Sequence, residues 1–247
     1  MNVNSVKMSN QCAYKKPQIS FKCLRREVCT NMLINRNDTC FFRDGDLIKR
    51  LVDYLVKKFE CVSKVNLYSY GCSIGEEAYS FLMYLVSKFP NDVVEKFTPI
   101  IAKDKDAFII GEALANKSHT ISTEEYEKIL KFTNNKYDRF LKENQGQAIV
   151  KDIIRNKVKF DVANITNDYV NINPDNSVVL MRNFLPYLNG NIDRWTLIRN
   201  LGKHLNSGSY LMIGEFDVRG TEWKVNNEII DSGFERTEIE YLFKKKD

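Results

Sequence analysis

The sequence predicts an α/β fold built on a doubly wound, mostly parallel sheet. The first basis for this is a series of short apolar runs with the length of buried strands, at residues 65–70, 98–102, 158–160, 178–181 and 210–214. The second is that segments with helical spacing separate several of these runs, as in sheets with helical crossovers. The third is a glycine-containing turn directly after the first run, at which a helix begins.

Helical spacing of apolar residues predicts the helices around these strands. Leu47 and Leu51, for example, lie four residues apart on one face ahead of the first strand. The predicted helices cover residues 44–59, 76–88, 108–116 and 194–204. A terminal strand is predicted at 238–243, and Gly208 and Gly233 suit turns. With 247 residues, of which 43% are hydrophobic, the chain can form one substantial core.

The turn after the first strand has the composition of a cofactor cradle. Gly71, Ser73 and Gly75 let the backbone approach a ligand closely, next to the amide groups at the start of a helix. Glu76 and Glu77 stand where an anionic ligand would lie, which favours a ligand with hydroxyl groups or positive charge over a pyrophosphate. S-adenosylmethionine (SAM) fits that description. The alternative is an acidic first helical turn that only complements the helix dipole.

Two acidic residues follow the second predicted strand. In open α/β sheets the ligand lies outside the carboxyl ends of the strands, so Asp104 can accept hydrogen bonds from both ribose hydroxyl groups. Asp106 stands just before the next helix and is predicted to be its N-cap.

The composition limits the compartment and the partners. No apolar run approaches the roughly 20 residues needed to cross a bilayer, so we expect a cytoplasmic protein without membrane insertion. The six cysteines form no Cys-x-x-Cys pair and the chain has two histidines, so no metal site is predicted and reduced thiols are expected. Residues 1–36 hold seven basic residues against one acid. This basic N-terminal arm is either a solvated leader or a surface for an acidic protein or nucleic acid.

Four separated motifs occur in order along the chain. Residues 37–44 read Asn-Asp-Thr-Cys-Phe-Phe-Arg-Asp, and residues 72–80 read Cys-Ser-Ile-Gly-Glu-Glu-Ala-Tyr-Ser. An Asn-Ile pair at 164–165 and Arg-Asn-Phe-Leu-Pro-Tyr at 182–187 follow. Together they resemble the chemotaxis receptor methyltransferase (CheR-type) family, with Ile165 in place of a leucine.

The resemblance implies a fold, an activity and a domain organisation. The fold is the class I methyltransferase fold, a Rossmann-like, mostly parallel doubly wound sheet with a small inserted antiparallel subdomain. Residues 37–247 would form the SAM-dependent methyltransferase domain, with the inserted subdomain within 118–157, where apolar alternation weakens and charge rises. Some family members use that subdomain to dock a partner's tail.

The resemblance also assigns roles to individual residues. The residues expected to bind SAM, which leaves as S-adenosylhomocysteine (SAH), are Asn37, Thr39, Arg43, Gly71, Glu77, Asp104, Asn164, Ile165, Arg182 and Asn183. Arg43 would lie near a carboxylate of the cofactor or substrate, and Asn164 with Ile165 would flank the adenine. Arg43 and Tyr187 are the predicted catalytic residues, which position the reacting groups. The alternatives are a surface salt bridge for Arg43, a buried aromatic role for Tyr187, and Glu76 in place of Glu77.

The predicted reaction is methylation of glutamate side chains on a protein with exposed carboxylates, such as a receptor. A glutamate with a pKa near 4.3 is already ionised at pH 7, so no strong base is needed. Two departures favour a divergent member with another acceptor. About 40 residues precede the Phe-Phe-Arg motif, where the family usually carries a sizeable helical domain, and residues 214–217 read Gly-Glu-Phe-Asp instead of Gly-His-Ser-Glu.

Two other functions stay open on the sequence. Residues 183–187 are similar to the Asn-Pro-Pro-Tyr loop of amine and nucleic-acid N-methyltransferases but one residue longer, and the basic arm would suit a nucleic-acid partner. A non-catalytic module that binds SAM or SAH and reports it to a partner is the second alternative.

Overall fold

A computed structural model describes residues 39–144, 147–188, 190–219 and 222–247. The predicted basic arm, 1–36, lies outside the described residues. Within the described ranges, no helix is both long and apolar enough to cross a membrane.

Helices and strands alternate along most of the chain. The strands are β1 (Asn66–Tyr70), β2 (Ile100–Asp104), β3 (His119–Thr120), β4 (Leu141–Asn144), β5 (Gln147–Val150), β6 (Val158–Val162), β7 (Ser177–Met181), β8 (Tyr210–Ile213), β9 (Phe234–Arg236) and β10 (Leu242–Lys245). The helices are α1 (Gly45–Lys58), α2 (Glu76–Lys88), α3 (Asn91–Lys96), α4 (Ala107–Leu114), α5 (Thr123–Phe132), α6 (Tyr137–Phe140), α7 (Asp152–Arg155), α8 (Ile165–Asp168), α9 (Gly190–His204), α10 (Glu215–Val218) and α11 (Glu222–Asp231). Short 3₁₀ turns lie at Tyr169–Asn171 and Leu185–Tyr187.

Seven strands form the central sheet in the order β6-β2-β1-β7-β8-β10-β9. The first five of these run parallel to one another, and β10 pairs antiparallel with both β8 and β9. The predicted class, a mostly parallel doubly wound sheet, is therefore confirmed. The chain order reverses between β1 and β7, which places a crevice beside the carboxyl end of β1.

Side chains of the central strands alternate between two apolar cores. On β7, Val178 and Leu180 belong to the core that includes α1 and α2, while Val179 and Met181 belong to the core that includes α9 and α11. The same alternation holds on β8. Because both faces are covered, all five residues of β7 are buried, which explains the continuous apolar run over its last four residues, 178–181.

A second, three-stranded antiparallel sheet has the order β3-β5-β4. It lies with α5, α6 and α7 in the chain between α4 and β6. We refer to residues 118–157 as the small-sheet region. That this region is an inserted subdomain of the family's kind stays a prediction.

The strand predicted at 238–243 is wrong in its bounds. The chain makes a tight turn before β10, where Thr237 Oγ1 donates to Leu242 O at 3.0 Å and accepts from Ile239 N at 3.1 Å. Tyr241 at the turn has a φ of 62°. The polar side chain of Thr237 thus closes a turn where apolar alternation alone indicated a strand. The turns predicted at Gly208 and Gly233 are confirmed by φ values of 79° and 91°.

Candidate active site

A cleft of about 510 Å³ opens at the carboxyl ends of the central parallel strands. Its volume lies within the range of small-molecule and cofactor sites. The lining residues are Thr39, Cys40, Arg43, Asp44, Ile48, Gly71, Cys72, Ser73, Glu77, Asp104, Lys105, Asp106, Arg182, Asn183, Phe184, Glu215, Phe216 and Arg219. They come from loops far apart in the sequence, which the sheet brings to one edge.

The glycine turn after β1 forms the floor of the cleft. Gly71 has a φ of 68°, and a Cβ atom there would lie 3.0 Å from the Phe184 ring. Gly75 has a φ of 100°, and its Cβ would lie 2.6 Å from the Phe160 ring. Both positions combine a left-handed backbone with no room for a side chain, so the turn requires glycine.

The two acids that open α2 point in different directions. Glu77 lines the cleft, where its Oε1 accepts from Ser69 Oγ at 3.2 Å. Glu76 is buried and its Oε1 lies 2.8 Å from Nδ1 of His119, on strand β3. Glu76 therefore ties the small-sheet region to α2, and the alternative in which Glu76 replaces Glu77 in the cleft does not match this geometry.

Arg182, directly after β7, joins two walls of the cleft. Its Nη1 donates to Glu77 Oε2 at 3.1 Å and its Nη2 donates to Asp44 Oδ2 at 2.5 Å. The Arg182 side chain is only 3% exposed, and its Nε is buried without a hydrogen-bond partner in the described structure. A lining guanidinium whose buried Nε lacks a partner fits a ligand that brings a hydrogen-bond acceptor into the cleft.

Asp104 is held at the end of β2 by backbone amides. Its Oδ2 accepts from Ser73 N at 3.1 Å and its Oδ1 accepts from Asp106 N at 3.0 Å. These two bonds fix the carboxylate against the glycine turn, and each oxygen keeps a lone pair for hydroxyl donors. Asp106 accepts from Phe108 N at 2.9 Å and is the N-cap of α4, as predicted.

Residues 39–44 form one wall of the cleft, which we call the 39–44 wall. Phe41 and Phe42 are fully buried, while Thr39, Cys40, Arg43 and Asp44 are in the lining. Burial raises the pKa of the Cys40 thiol, and the neighbouring Arg43 opposes that rise. The two aromatic side chains therefore anchor the wall, and its polar residues line the cleft.

Asp217 is a structural acid that sequence reasoning did not single out. It is buried in α10, where its Oδ2 accepts from Asn183 N at 2.7 Å and Gly214 N at 2.6 Å. Its Oδ1 accepts from Leu185 N at 2.8 Å. Asp217 thus fixes the loop that carries Arg182, and the acid of the Gly-Glu-Phe-Asp stretch was the signal that could have identified it.

Burial raises the pKa of Asp217 to about 6, although the backbone amides around it act in the opposite direction. A carboxyl group whose pKa is raised on folding stabilises the fold most below its unfolded pKa, and this contribution is lost as pH rises through the folded pKa. We expect the free energy of unfolding of the wild type, relative to Asp217→Asn, to fall by roughly 1–3 kcal/mol between pH 4 and pH 7. Urea unfolding of the wild type and of Asp217→Asn across that pH range measures the change. A difference in unfolding free energy that did not vary with pH would contradict the raised pKa.

Seven of the predicted site residues line the cleft together: Thr39, Arg43, Gly71, Glu77, Asp104, Arg182 and Asn183. Asn164 and Ile165 are not among the lining residues; Asn164 caps α8 by accepting from Thr166 N at 3.1 Å, and Ile165 is buried. Asn37 and the side chain of Tyr187 lie outside the described residues. The roles of all these residues stay predictions.

The described lining also fits SAM by its chemistry. SAM carries an ammonium group and two ribose hydroxyls, which suit carboxylates such as Glu77 and Asp104, and a carboxylate, which suits a guanidinium. The unused Nε of Arg182 and the space that a Cβ at Gly71 would fill are consistent with that ligand. The strand order, the glycine turn after β1 and the acid after β2 define the class I, Rossmann-like fold of SAM-dependent methyltransferases.

The family is shown by comparison with known proteins. The model of the family described as "CheR methyltransferase, SAM binding domain" matches residues 37–228. The chain belongs to the CheR methyltransferase family. Its described domain is that of a SAM-dependent methyltransferase, with SAM as the cofactor.

Three curated relatives are similar to the chain at modest identity. The chemotaxis protein methyltransferase of Borreliella burgdorferi is 27% identical over 76% of this chain and 67% of its own length. Chemotaxis protein methyltransferase 2 of Vibrio cholerae is 28% identical over 72% of this chain and 61% of its own. Chemotaxis protein methyltransferase 1 of Pseudomonas aeruginosa is 26% identical over 72% of this chain and 65% of its own. The chain thus spans 61–67% of the length of these relatives.

Proposed function

We propose that the protein transfers the methyl group of SAM to carboxylate side chains, most specifically glutamates, of a receptor-type protein in the cytoplasm. The observation that best supports this is the polar lining of the cleft, which combines three arginines, Arg43, Arg182 and Arg219, with several carboxylates. The relatives named chemotaxis protein methyltransferases support a protein as the acceptor.

SAM supplies a methyl group on a sulfonium, which is electrophilic without further activation. The residues of the chain then have to bind SAM and the acceptor, align them and exclude water, since an in-line displacement depends mainly on geometry. Glu77 and Asp104 would hold the amino acid and ribose parts of the cofactor, and Arg43 would orient a carboxylate. The lining described here contains no histidine, which agrees with an acceptor that is ionised before it binds.

The amine alternative depends on the side chain of Asn183, which would have to hold the acceptor amine. Its side-chain Oδ1 accepts from Phe216 N at 3.1 Å, and a Cβ at Gly214 would lie 2.3 Å from the same oxygen. In an amine methyltransferase this oxygen would hold the acceptor amine, whereas here one of its two lone pairs already holds the backbone of α10. The basic arm, which would favour nucleic acid, lies outside the described residues.

The test of the proposed function is transfer of a labelled methyl group from SAM to proteins and metabolites of a host lysate. Treatment with mild alkali, followed by capture of volatile methanol, separates carboxyl methyl esters from other products. Volatile label on protein is expected. Alkali-stable label would replace the proposal with transfer to nitrogen, and the absence of any transfer together with SAH binding would favour the non-catalytic module.

We expect Asp104→Asn to weaken SAH binding at least tenfold, because one charge-assisted hydrogen bond contributes about 1.5–3 kcal/mol. Isothermal titration calorimetry measures it. The matched control is Asp106→Ala, which alters another lining carboxylate two residues away. That variant removes only the cap of α4, at about 1 kcal/mol of stability. Equal losses of affinity in the two variants would contradict the assignment of Asp104.

Arg43→Ala is expected to lower the methyl-transfer rate roughly 100-fold, as misalignment of reacting groups does. The affinity for SAH, measured by calorimetry, is expected to fall much less. This separation of rate from affinity identifies a residue that aligns the acceptor. If the transfer rate and the SAH affinity fell by the same factor, Arg43 would instead be a cofactor-binding residue only.

A further inference from the structure

We propose that Glu125, on helix α5 of the small-sheet region, is a positioning residue for the cofactor cleft. Its carboxylate holds the backbone of the 39–44 wall, and thereby the place of Arg43. The inference deepens the proposed function, on which it rests, because it assigns the small-sheet region a part in shaping the SAM site.

Both oxygens of Glu125 accept from backbone amides of different segments. Oε1 accepts from Phe41 N at 3.1 Å, and Oε2 accepts from Ser122 N at 3.0 Å. In return Ser122 Oγ accepts from Glu125 N at 3.1 Å, which completes a capping box at the start of α5. The bond to Phe41 spans 84 residues of sequence, and local capping does not require it.

The next amide of the wall is held from a different helix. Phe42 N donates to Ser80 Oγ, on α2, at 2.8 Å. The small-sheet region also packs on the aromatic side chains of the wall. The Phe42 ring stacks on Phe132 with 5.1 Å between centroids, and the Phe41 ring lies 4.9 Å from that of His119.

The wall needs these contacts because its backbone is strained. Phe42 and Asp44 have φ values of 50° and 54°, in the left-handed region that non-glycine residues rarely adopt. Such a conformation persists only where the surrounding structure holds it. Without the bond from Glu125 we expect the wall to relax, which would move Arg43 and the carboxylate of Asp44 that Arg182 contacts.

The test compares Glu125→Ala with Ser122→Ala. Both variants break the capping box, but only the first removes the acceptor of the Phe41 amide. Glu124→Ala, on the same helix with a side chain 77% exposed, is the surface control. Glu125→Gln retains one acceptor oxygen and is expected to recover part of any loss.

Two measurements decide the inference. Hydrogen exchange of amides 39–44 in the cofactor-free protein is expected to accelerate at least tenfold in Glu125→Ala and to stay within threefold of wild type in Ser122→Ala. By calorimetry, SAH affinity is expected to fall roughly tenfold in Glu125→Ala alone, because the Asp44 carboxylate that Arg182 contacts would move with the wall.

Equal exchange rates in Glu125→Ala and Ser122→Ala would overturn the inference, because the effect would then come from the helix cap. Unchanged SAH affinity in Glu125→Ala would overturn it as well. If the wild type failed to bind SAH, the proposed function would be wrong, and the exchange comparison would still decide whether Glu125 holds the wall.

Discussion

Arg182→Ala is expected to lower the free energy of unfolding by about 3 kcal/mol, because it removes two charge-assisted hydrogen bonds of a buried guanidinium, each contributing about 1.5 kcal/mol. The guanidinium bridges Glu77 and Asp44, which come from different elements. Without it, two carboxylates face each other across the cleft with no cation between them. SAH affinity is expected to fall by at least tenfold, because the walls that Arg182 joins would separate. Urea unfolding and calorimetry measure the two effects.

Arg219→Ala is the matched control for Arg182. Arg219 lines the same cleft, but its side chain is 72% exposed and its ion pair with Glu215 is 3.6 Å long. An exposed pair of this kind contributes roughly 0–1 kcal/mol. Arg182→Lys should recover little, since one ammonium group does not reproduce the two-pronged contact. A stability change in Arg182→Ala as small as that in Arg219→Ala would show that the bridge is dispensable.

His119→Ala is expected to lower the free energy of unfolding by about 3–5 kcal/mol, because it leaves a carboxyl group without a partner in the core. The side chains of His119 and Glu76 are only 4% and 6% exposed. Glu76 Oε2 is already buried without a hydrogen-bond partner in the described structure, so Glu76 depends on His119 alone. Chemical denaturation measures the change.

A double variant separates the hydrogen bond between Glu76 and His119 from the packing of their side chains. Glu76→Met combined with His119→Leu replaces the pair by apolar groups of similar size, which is often neutral or stabilising. We therefore expect the double variant to be more stable than His119→Ala. If His119→Ala lowered the free energy of unfolding by less than about 1 kcal/mol, the contact between Glu76 and His119 would contribute no more than an exposed surface pair does.

The sequence predicted the fold well wherever burial alone decides it. The runs predicted at 178–181 and 210–214 lie in β7 and β8, where both faces of the sheet are covered, so that nearly every strand position is apolar. The strand predicted at 238–243 was misplaced because a hydrogen bond from the Thr237 side chain closes a turn there. The spacing of apolar residues carries no information about such a side-chain hydrogen bond.

The two adjacent glutamates show where sequence reasoning stops. The motif identified both glutamates. Neighbouring residues of a helix point about 100° apart, so the two side chains point in different directions. Which of them points into the cleft depends on what packs against α2. His119, 43 residues away, binds Glu76, so Glu77 is left for the cleft. Asp217 is a similar case, since the amides of Asn183 and Leu185 that it accepts from lie 34 and 32 residues away in the chain.

By itself the sequence determined the parallel sheet, the glycine turn, the acids that follow the first two strands, and the family resemblance. These features are local, since each follows from short-range spacing, backbone conformation and burial. Only the tertiary structure decided which carboxylates meet Arg182, which acid anchors its loop, and that Glu125 reaches the Phe41 amide. The physical reason is that a charged or hydrogen-bonding group takes its role from partners distant in the chain, and only folding brings those partners within 3 Å or so.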